Sequence, residues 1–206
     1  MKFFKILAGF VFAIIVFAAG VWLFAPWESG GLFVMDKLRI DAARKGVYVN
    51  YNGFETSGVI FPVYRIKSLD IDSPFSRTSL TEVRVKVLPL SSILSRGVSC
   101  YVEFEHGGSA LLTKDKLSHN YGRMKVTASL SGLNLSGVQV GGDLRVSGGL
   151  TFDRSLRRVS ESTILVGVPD NIDAMMNGPV ASQYLGGFVE QVNPGEWRIK
   201  YNVYDQ

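Results

Sequence analysis

The chain is poor in the residues that usually carry chemistry. It has one cysteine, Cys100, so an internal disulfide and a cysteine-rich metal site are excluded. Its two histidines, His106 and His119, match no metal or triad spacing and read as exposed loop residues. No GxGxxG, GxxxxGK[ST] or GxSxG occurs, which removes the common signatures of nucleotide binding and serine hydrolysis. Lys and Arg are scattered and the formal charge is only +4, so nucleic acid is not indicated as a partner. No cofactor is expected, and no low-complexity linker divides the chain. What remains is 206 residues with 47% apolar content, enough to build a core.

The N-terminus holds the longest apolar run. From Ile6 to Ala25 there are 20 residues without a charge. As a helix these span about 30 Å, the hydrocarbon thickness of a bilayer. Lys2 and Lys5 precede the run, and Trp22 and Trp27 stand at its far end, where indoles favour the interface. No positive charge follows until Lys37, so the N-terminus is placed in the cytoplasm and the remainder across the membrane. The competing reading is a cleaved signal peptide ending in "VFAAG", although such apolar regions are usually shorter. After "PWESGG", Ser29 is expected to cap a short amphipathic helix running to about Lys45, with Gly46 as its stop. Leu32, Met35, Leu38 and Ala42 form its apolar stripe, opposite Lys37, Asp41 and Arg44.

From Val47 the period changes to two. Val47, Val49 and Tyr51 share a face, as do Tyr64 and Ile66 and, after a slip, Leu69 and Ile71. Val83, Val85 and Val87 alternate with Glu82, Arg84 and Lys86. Val98, Cys100, Val102 and Phe104 alternate with Tyr101, Glu103 and Glu105. Met124, Val126, Ala128 and Leu130 continue the pattern, followed by Ile164, Val166 and Val168 and then Trp197, Ile199, Tyr201 and Val203. Turn residues separate these runs. Such a series predicts half-buried strands of an antiparallel sheet. "PLSSILSRG" reads as a short helical turn, and "VPDNIDAMMNGPVASQYLGG" as one or two short helices.

The glycine-crowded stretch "LSGLNLSGVQVGGDLRVSGGLTF" invites a phosphate-loop reading, but no helix pattern follows it. Its apolar pairs are Leu133 and Leu135, Val138 and Val140, Leu144 and Val146, and Leu150 and Phe152. Their phase shifts at Ser131–Gly132 and Ser136–Gly137, as turns or bulges require. A meander of short strands follows from this. Asp70 and Asp72 face one side of a strand, but no third oxygen ligand for a cation is near them. Asp170 and Asp173 suit a helix N-terminus, and Cys100 suits a buried, inert thiol. No catalytic or metal-binding set emerges, and the chain is not read as an enzyme.

The order of elements resembles a known family. "APWESGGLFVMDKLRIDAARKGVYVNYNGF", "SGVIFPVYRIKSLDI", "VRVKVLPLSSILSRGVSCYVEFEHGGSALL", the glycine-rich segment and "GGFVEQVNPGEWRIKY" together resemble the type II secretion system protein N family, related in style to AsmA-like proteins. The resemblance implies a single-pass inner-membrane protein of a Gram-negative bacterium, with a β-rich periplasmic domain and no catalytic residues. It implies a non-enzymatic accessory role in protein secretion, with secretion-system proteins as partners. AsmA-like relatives and small lipopolysaccharide-export proteins imply an alternative, lipid binding or transfer in an apolar groove. Val83, Val85, Val87, Val126, Ala128 and Leu130 are the groove-facing candidates. The expected architecture is mainly β: a transmembrane anchor over 1–27, an amphipathic helix over 28–46, and a curved antiparallel sheet or open sandwich over 47–206.

Overall fold

A computed structural model of the chain describes residues 13, 16, 17, 20, 24–44, 46–58, 61–74, 76–111, 116–153, 159–179 and 189–199. Most of the uncharged N-terminal run, with Lys2, Lys5 and Trp22, lies outside the described residues. Among those described, no helix is long and apolar enough to cross a membrane.

Helix α1 spans Trp27–Ala43. The strands follow as β1 (Tyr48–Ser57), β2 (Val63–Asp72), β3 (Ser76–Val87), β4 (Gly97–Phe104), β5 (His106–Leu111), β6 (Lys116–Ser129), β7 (Gly132–Gly142), β8 (Arg145–Asp153), β9 (Val159–Ser162), β10 (Leu165–Gly167), β11 (Val189–Asn193) and β12 (Glu196–Ile199). Helix α2 (Pro89–Leu94) sits between β3 and β4, and α3 (Asp170–Met176) between β10 and β11. The 12 strands form one sheet in the order β1-β2-β3-β4-β6-β7-β8-β10-β12-β11, with β5 pairing β3 and β6 and with β9 pairing β8. Every pairing is antiparallel. The strand-rich antiparallel reading therefore holds. The strands form one continuous hydrogen-bonded sheet.

The apolar phase changes along a line that crosses the sheet. On β1 the inward residues are Val49 and Tyr51, then Phe54 and Thr56. On β2 they are Tyr64 and Ile66, then Leu69 and Ile71. On β3 they are Thr78 and Leu80, then Val83 and Val85. Strict period-two alternation would have sent half of each strand's apolar set to solvent. Gly53 (φ 68°) and Glu82 (φ 52°) reverse the side-chain direction at the switch. The result is visible in contact: the Tyr51 and Phe54 rings meet edge-on at 6.3 Å, although three residues apart on a strand. Two other lanes break at this line. Strands β4 and β5 occupy one lane and separate at Glu105, and the β6–β7 register shifts between His119 and Tyr121.

Helix α1 covers the apolar side at the β1 end of the sheet. Gly31 is buried, and a Cβ there would lie 2.7 Å from Phe54 Cζ and 2.6 Å from Tyr64 Cε1. The Phe54 and Tyr64 rings stack beneath it at 5.6 Å. Further along, Met35 packs against Ile66, Val83 and Phe104, and Tyr51 donates its hydroxyl to Asp36 at 3.2 Å. Ser29 is a correction: it lies inside the helix, whose N-cap is Pro26 with no side-chain cap. Leu38 is another, since it is exposed, whereas Leu32, Met35 and Ala42 are half-buried. Beyond Ala43 the chain turns, with Gly46 donating to the Ala43 carbonyl at 3.0 Å.

Glycine at 31 is what lets the helix backbone lie on two aromatic rings. Gly31→Ala gains helix propensity but forces both rings aside, an overpacking cost of about 1–3 kcal/mol. The urea midpoint is expected to fall, with faster amide exchange confined to residues 27–43.

Candidate functional site: the apolar side of the sheet

Registers assemble the inward residues into rows running across the strands. The first row is Phe54, Ile66, Val83, Phe104, Gly122, Val140, Val146, Val166 and Trp197. Nine lanes at about 4.8 Å make it roughly 38 Å long. Ile66, Val83, Trp197 and Phe104 are its best-buried side chains, at 2%, 3%, 7% and 8% exposure, each contributing about 1.5–3 kcal/mol by burial. Phe104 lies flat over Gly122, where a Cβ would come within 2.0 Å of its Cε1. The second row carries Tyr64, Val85, Val102 and Met124. The third carries Val87, Cys100, Val126, Leu135 and Leu150. The fourth carries Val98, Ala128, Leu133 and Phe152. Burial falls along this series: the third row is half-buried, and Val98 and Ala128 are exposed.

The groove candidates therefore have different settings. Val83 is sealed in the core beneath α1, while Val85, Val87 and Val126 are half-buried on the same side. Ala128 is exposed at the open end of its strand. Leu130 does not belong to β6, which ends at Ser129; it lies in the β6–β7 turn with its side chain in solvent. Leu133, Leu135, Val138 and Val140 face inward together, and the β7–β8 register shifts between Leu135 and Val138. Gly137, at φ 59°, supplies the left-handed residue that this bulge needs. The meander reading of the glycines is thus what the pairings show. Burial pushes the Cys100 thiol up from its ordinary pKa, which suppresses thiolate at neutral pH.

The opposite side is polar. Glu55, Arg65, Arg84, Glu103, Arg123 and Gln139 are successive cross-strand neighbours. Arg84 pairs with Glu105, Lys67 with Glu55 at 3.4 Å, and Arg123 Nε donates to Gln139 at 2.8 Å. These exposed pairs fix the solvated side and contribute little stability each. A cleft of about 750 Å³ lies where β7 and β8 approach the β11–β12 turn, with Gly141, Gly142 and Gly167 among its lining. Its charges are Arg145, Asp170 and Glu196, and no histidine or cysteine lines it.

The remaining carboxylate candidates are engaged in structure. Asp70 accepts from the Ser79 hydroxyl, and Asp72 pairs with Arg77 at 3.1 Å. Asp170 and Asp173 do lie in the first turn of α3, where the helix dipole favours them. Asp173 has a second role that its sequence position did not reveal: it accepts the Trp197 indole N–H at 2.7 Å and Gln191 Nε2 at 3.1 Å. Among the described residues no group of three or more His, Cys, Asp or Glu could hold a metal ion.

His119 is a correction. It belongs to β6, not a loop, and is only 7% exposed. Its Nε2 shares a hydrogen bond with Ser109 Oγ at 2.8 Å, and Ser109 in turn bonds Thr78 Oγ1 at 3.0 Å. Its Nδ1 is buried without a partner. Burial lowers its pKa, opposed by the Asp143 carboxylate, which is itself held low by the Ser118 N–H and hydroxyl at 2.7 and 2.8 Å. Because the folded pKa lies below the unfolded one, the unfolded chain binds the extra proton as pH falls through 6.5. Stability is complete above that value and declines on acidification toward the depressed folded pKa. Denaturant midpoints measured from about pH 7.5 to about pH 5.5 should fall, and His119→Gln should remove that part of the slope.

Comparison with curated proteins and with solved structures gave no match. Residues 4–201 match the family described as type II secretion system protein GspN-like, Synergistales. That match spans nearly the whole chain, from the N-terminal apolar run through β12, and the antiparallel sheet lies within it. The chain belongs to the GspN-like type II secretion system protein family.

Proposed function

We propose that this protein is a non-enzymatic accessory of type II secretion, held at the inner membrane by residues 6–25 with its sheet in the periplasm. Family membership carries this reading. The uncharged N-terminal run, flanked by Lys2 and Lys5 on one side and by Trp22 and Trp27 on the other, supports the single-pass arrangement. Helix α1 (Trp27–Ala43) then clamps the sheet, and residues 47–206 form the working domain. The surface offered to a secretion-system partner is the half-buried part of the apolar side, centred on Val85, Val87 and Val126.

A second reading is lipid binding on the same rows. One observation favours it: Val87, Cys100, Val126, Leu135 and Leu150 form a half-buried apolar row with no charged side chain in it. The two readings part in one experiment. Deleting the gene should trap exoproteins in the periplasm, and a photo-crosslinker at Val126 should capture inner-membrane secretion components. Normal secretion in the deletion strain, with lipid recovered by mass spectrometry from protein purified in mild detergent, would instead favour the second reading.

A further inference from the structure

Helix α2 is built inside out. Its serines face the sheet. Ser92 Oγ donates to the Leu88 carbonyl at 2.8 Å and accepts from the Ser99 N–H at 2.9 Å. Ser95 Oγ bonds Ser99 Oγ at 3.3 Å, and Ser99 Oγ donates to Thr127 Oγ1 at 3.1 Å. Ser99 is fully buried beneath this cluster. The apolar residues Leu90, Ile93 and Leu94, spaced to share one helix face, point to solvent instead. Phe61 before β2, Val98 at the start of β4 and Leu130 in the β6–β7 turn join them at the same end of the sheet. These six are exposed from 50% (Phe61) to 85% (Leu94). A soluble end would bury or replace such a cluster.

The position of α1 identifies what covers it. The helix runs antiparallel to β1: Gly31 lies on Phe54 and Tyr64, Asp36 reaches Tyr51, and the Val47 N–H returns to Ala42 at 3.0 Å near the start of β1. Trp27 is therefore at the end where β1 finishes and α2 sits, about 6 Å past Gly31 along the helix axis. The uncharged run Ile6–Ala25 precedes it directly. Charge agrees with this. No acidic residue occurs from Thr56 to Leu69, from Val83 to Val102 or from Lys116 to Gly142, which together supply these turns and α2; β8 brings one carboxylate, Asp153, to this end opposite Gly132. The opposite end carries Asp72, Arg77 and Asp143.

We propose that this end is a membrane-contact tip: Leu90, Ile93, Leu94 and Leu130 insert into the interface of the bilayer that holds the N-terminal run, standing the sheet upright on it. This rests on the anchored reading above. Insertion to the depth of the headgroup–acyl boundary suits short apolar side chains on a weakly basic frame. It also fixes orientation: the apolar rows, at right angles to the strands, then lie parallel to the membrane plane.

The test uses the full chain with Cys100→Ser in vesicles of phosphatidylethanolamine and phosphatidylglycerol. Leu94→Cys, labelled with an environment-sensitive fluorophore, should emit to the blue and lose most of its emission to doxyl-labelled lipid. The same label at Asp72→Cys should do neither. A Leu94 label quenched only by aqueous iodide would overturn the tip while co-flotation with vesicles kept the anchor. Shielding from both quenchers would mean a protein covers the patch, which also overturns it. Failure to co-float would remove anchor and tip together. Should a labelled variant fold poorly, amide exchange on the unmodified chain decides: residues 89–98 should be protected in vesicles relative to detergent, and equal exchange would refute the contact.

Discussion

Everything in this fold depends on keeping one side of a single sheet apolar over about 38 Å. The row from Phe54 through Ile66, Val83 and Phe104 to Val140, Val146, Val166 and Trp197 does that. The strands make one hydrogen-bonded sheet, so the helices and the row's own cross-strand contacts must cover it. Near the β1 end Met35 and the stacked Phe54 and Tyr64 rings close over Ile66 and Val83, and at the other end Trp197, 7% exposed, is bonded to Asp173 of α3. Burial then decays toward the fourth row. That gradient leaves the third row half-buried and Val98 and Ala128 of the fourth exposed.

The phase change is the device that extends the apolar side along each strand. Val49 and Tyr51 on β1 could not share a face with Phe54 in a regular strand. Gly53 and Glu82, both at positive φ, let two half-strands with opposite phase contribute to one core. The left-handed conformation is easy for Gly53. For Glu82 it costs on the order of 1 kcal/mol, which the neighbouring Val83 offsets by being almost fully buried. His119 and Ser109 sit on the far side of this line, among inward apolar residues such as Leu69, Leu80 and the 4%-exposed Leu117. There hydroxyl and imidazole bonding is added to packing, and proton uptake acts on it.

Pairing sense and the apolar phase of the longer strands were legible from alternation alone; strand number was not, since β5 starts in the "HGG" taken as a turn and β9 and β11 carry no clear alternation. Even the slip between Ile66 and Leu69 and the shift at Ser136–Gly137 could be read, since both break the period of two. Histidine placement was not. "KLSHNYGR" looks like a polar loop, because the reason His119 is buried is a register with β5 and β7 that lies outside its own segment. Ser29 misled too: it is a good capping residue, but the helix starts earlier, with Pro26 as its N-cap and the Gly30 N–H donating to the Pro26 carbonyl at 3.0 Å. Asp173 was correctly placed on a helix, yet its bond to Trp197, 24 residues away, has no local signature.

The apolar side itself was foreseen, but not its division into a sealed part and an open part. Val83 and Val87 are equivalent in sequence, two alternating valines in "VRVKV". Their difference is one of cover: Met35 of α1 packs on the core that holds Val83, 3% exposed, while Val87 stays half-buried. The same geometry explains α2. A helix of six residues has too little side-chain surface to bury on its own, so its orientation is set by whatever bonds the sheet offers. Here the sheet offers Ser99 and Thr127, so the serines turn inward and the leucines outward. Read as a sequence, "PLSSIL" has an ordinary apolar stripe that any core would accept; only the buried hydroxyls beneath it decide which side that stripe faces.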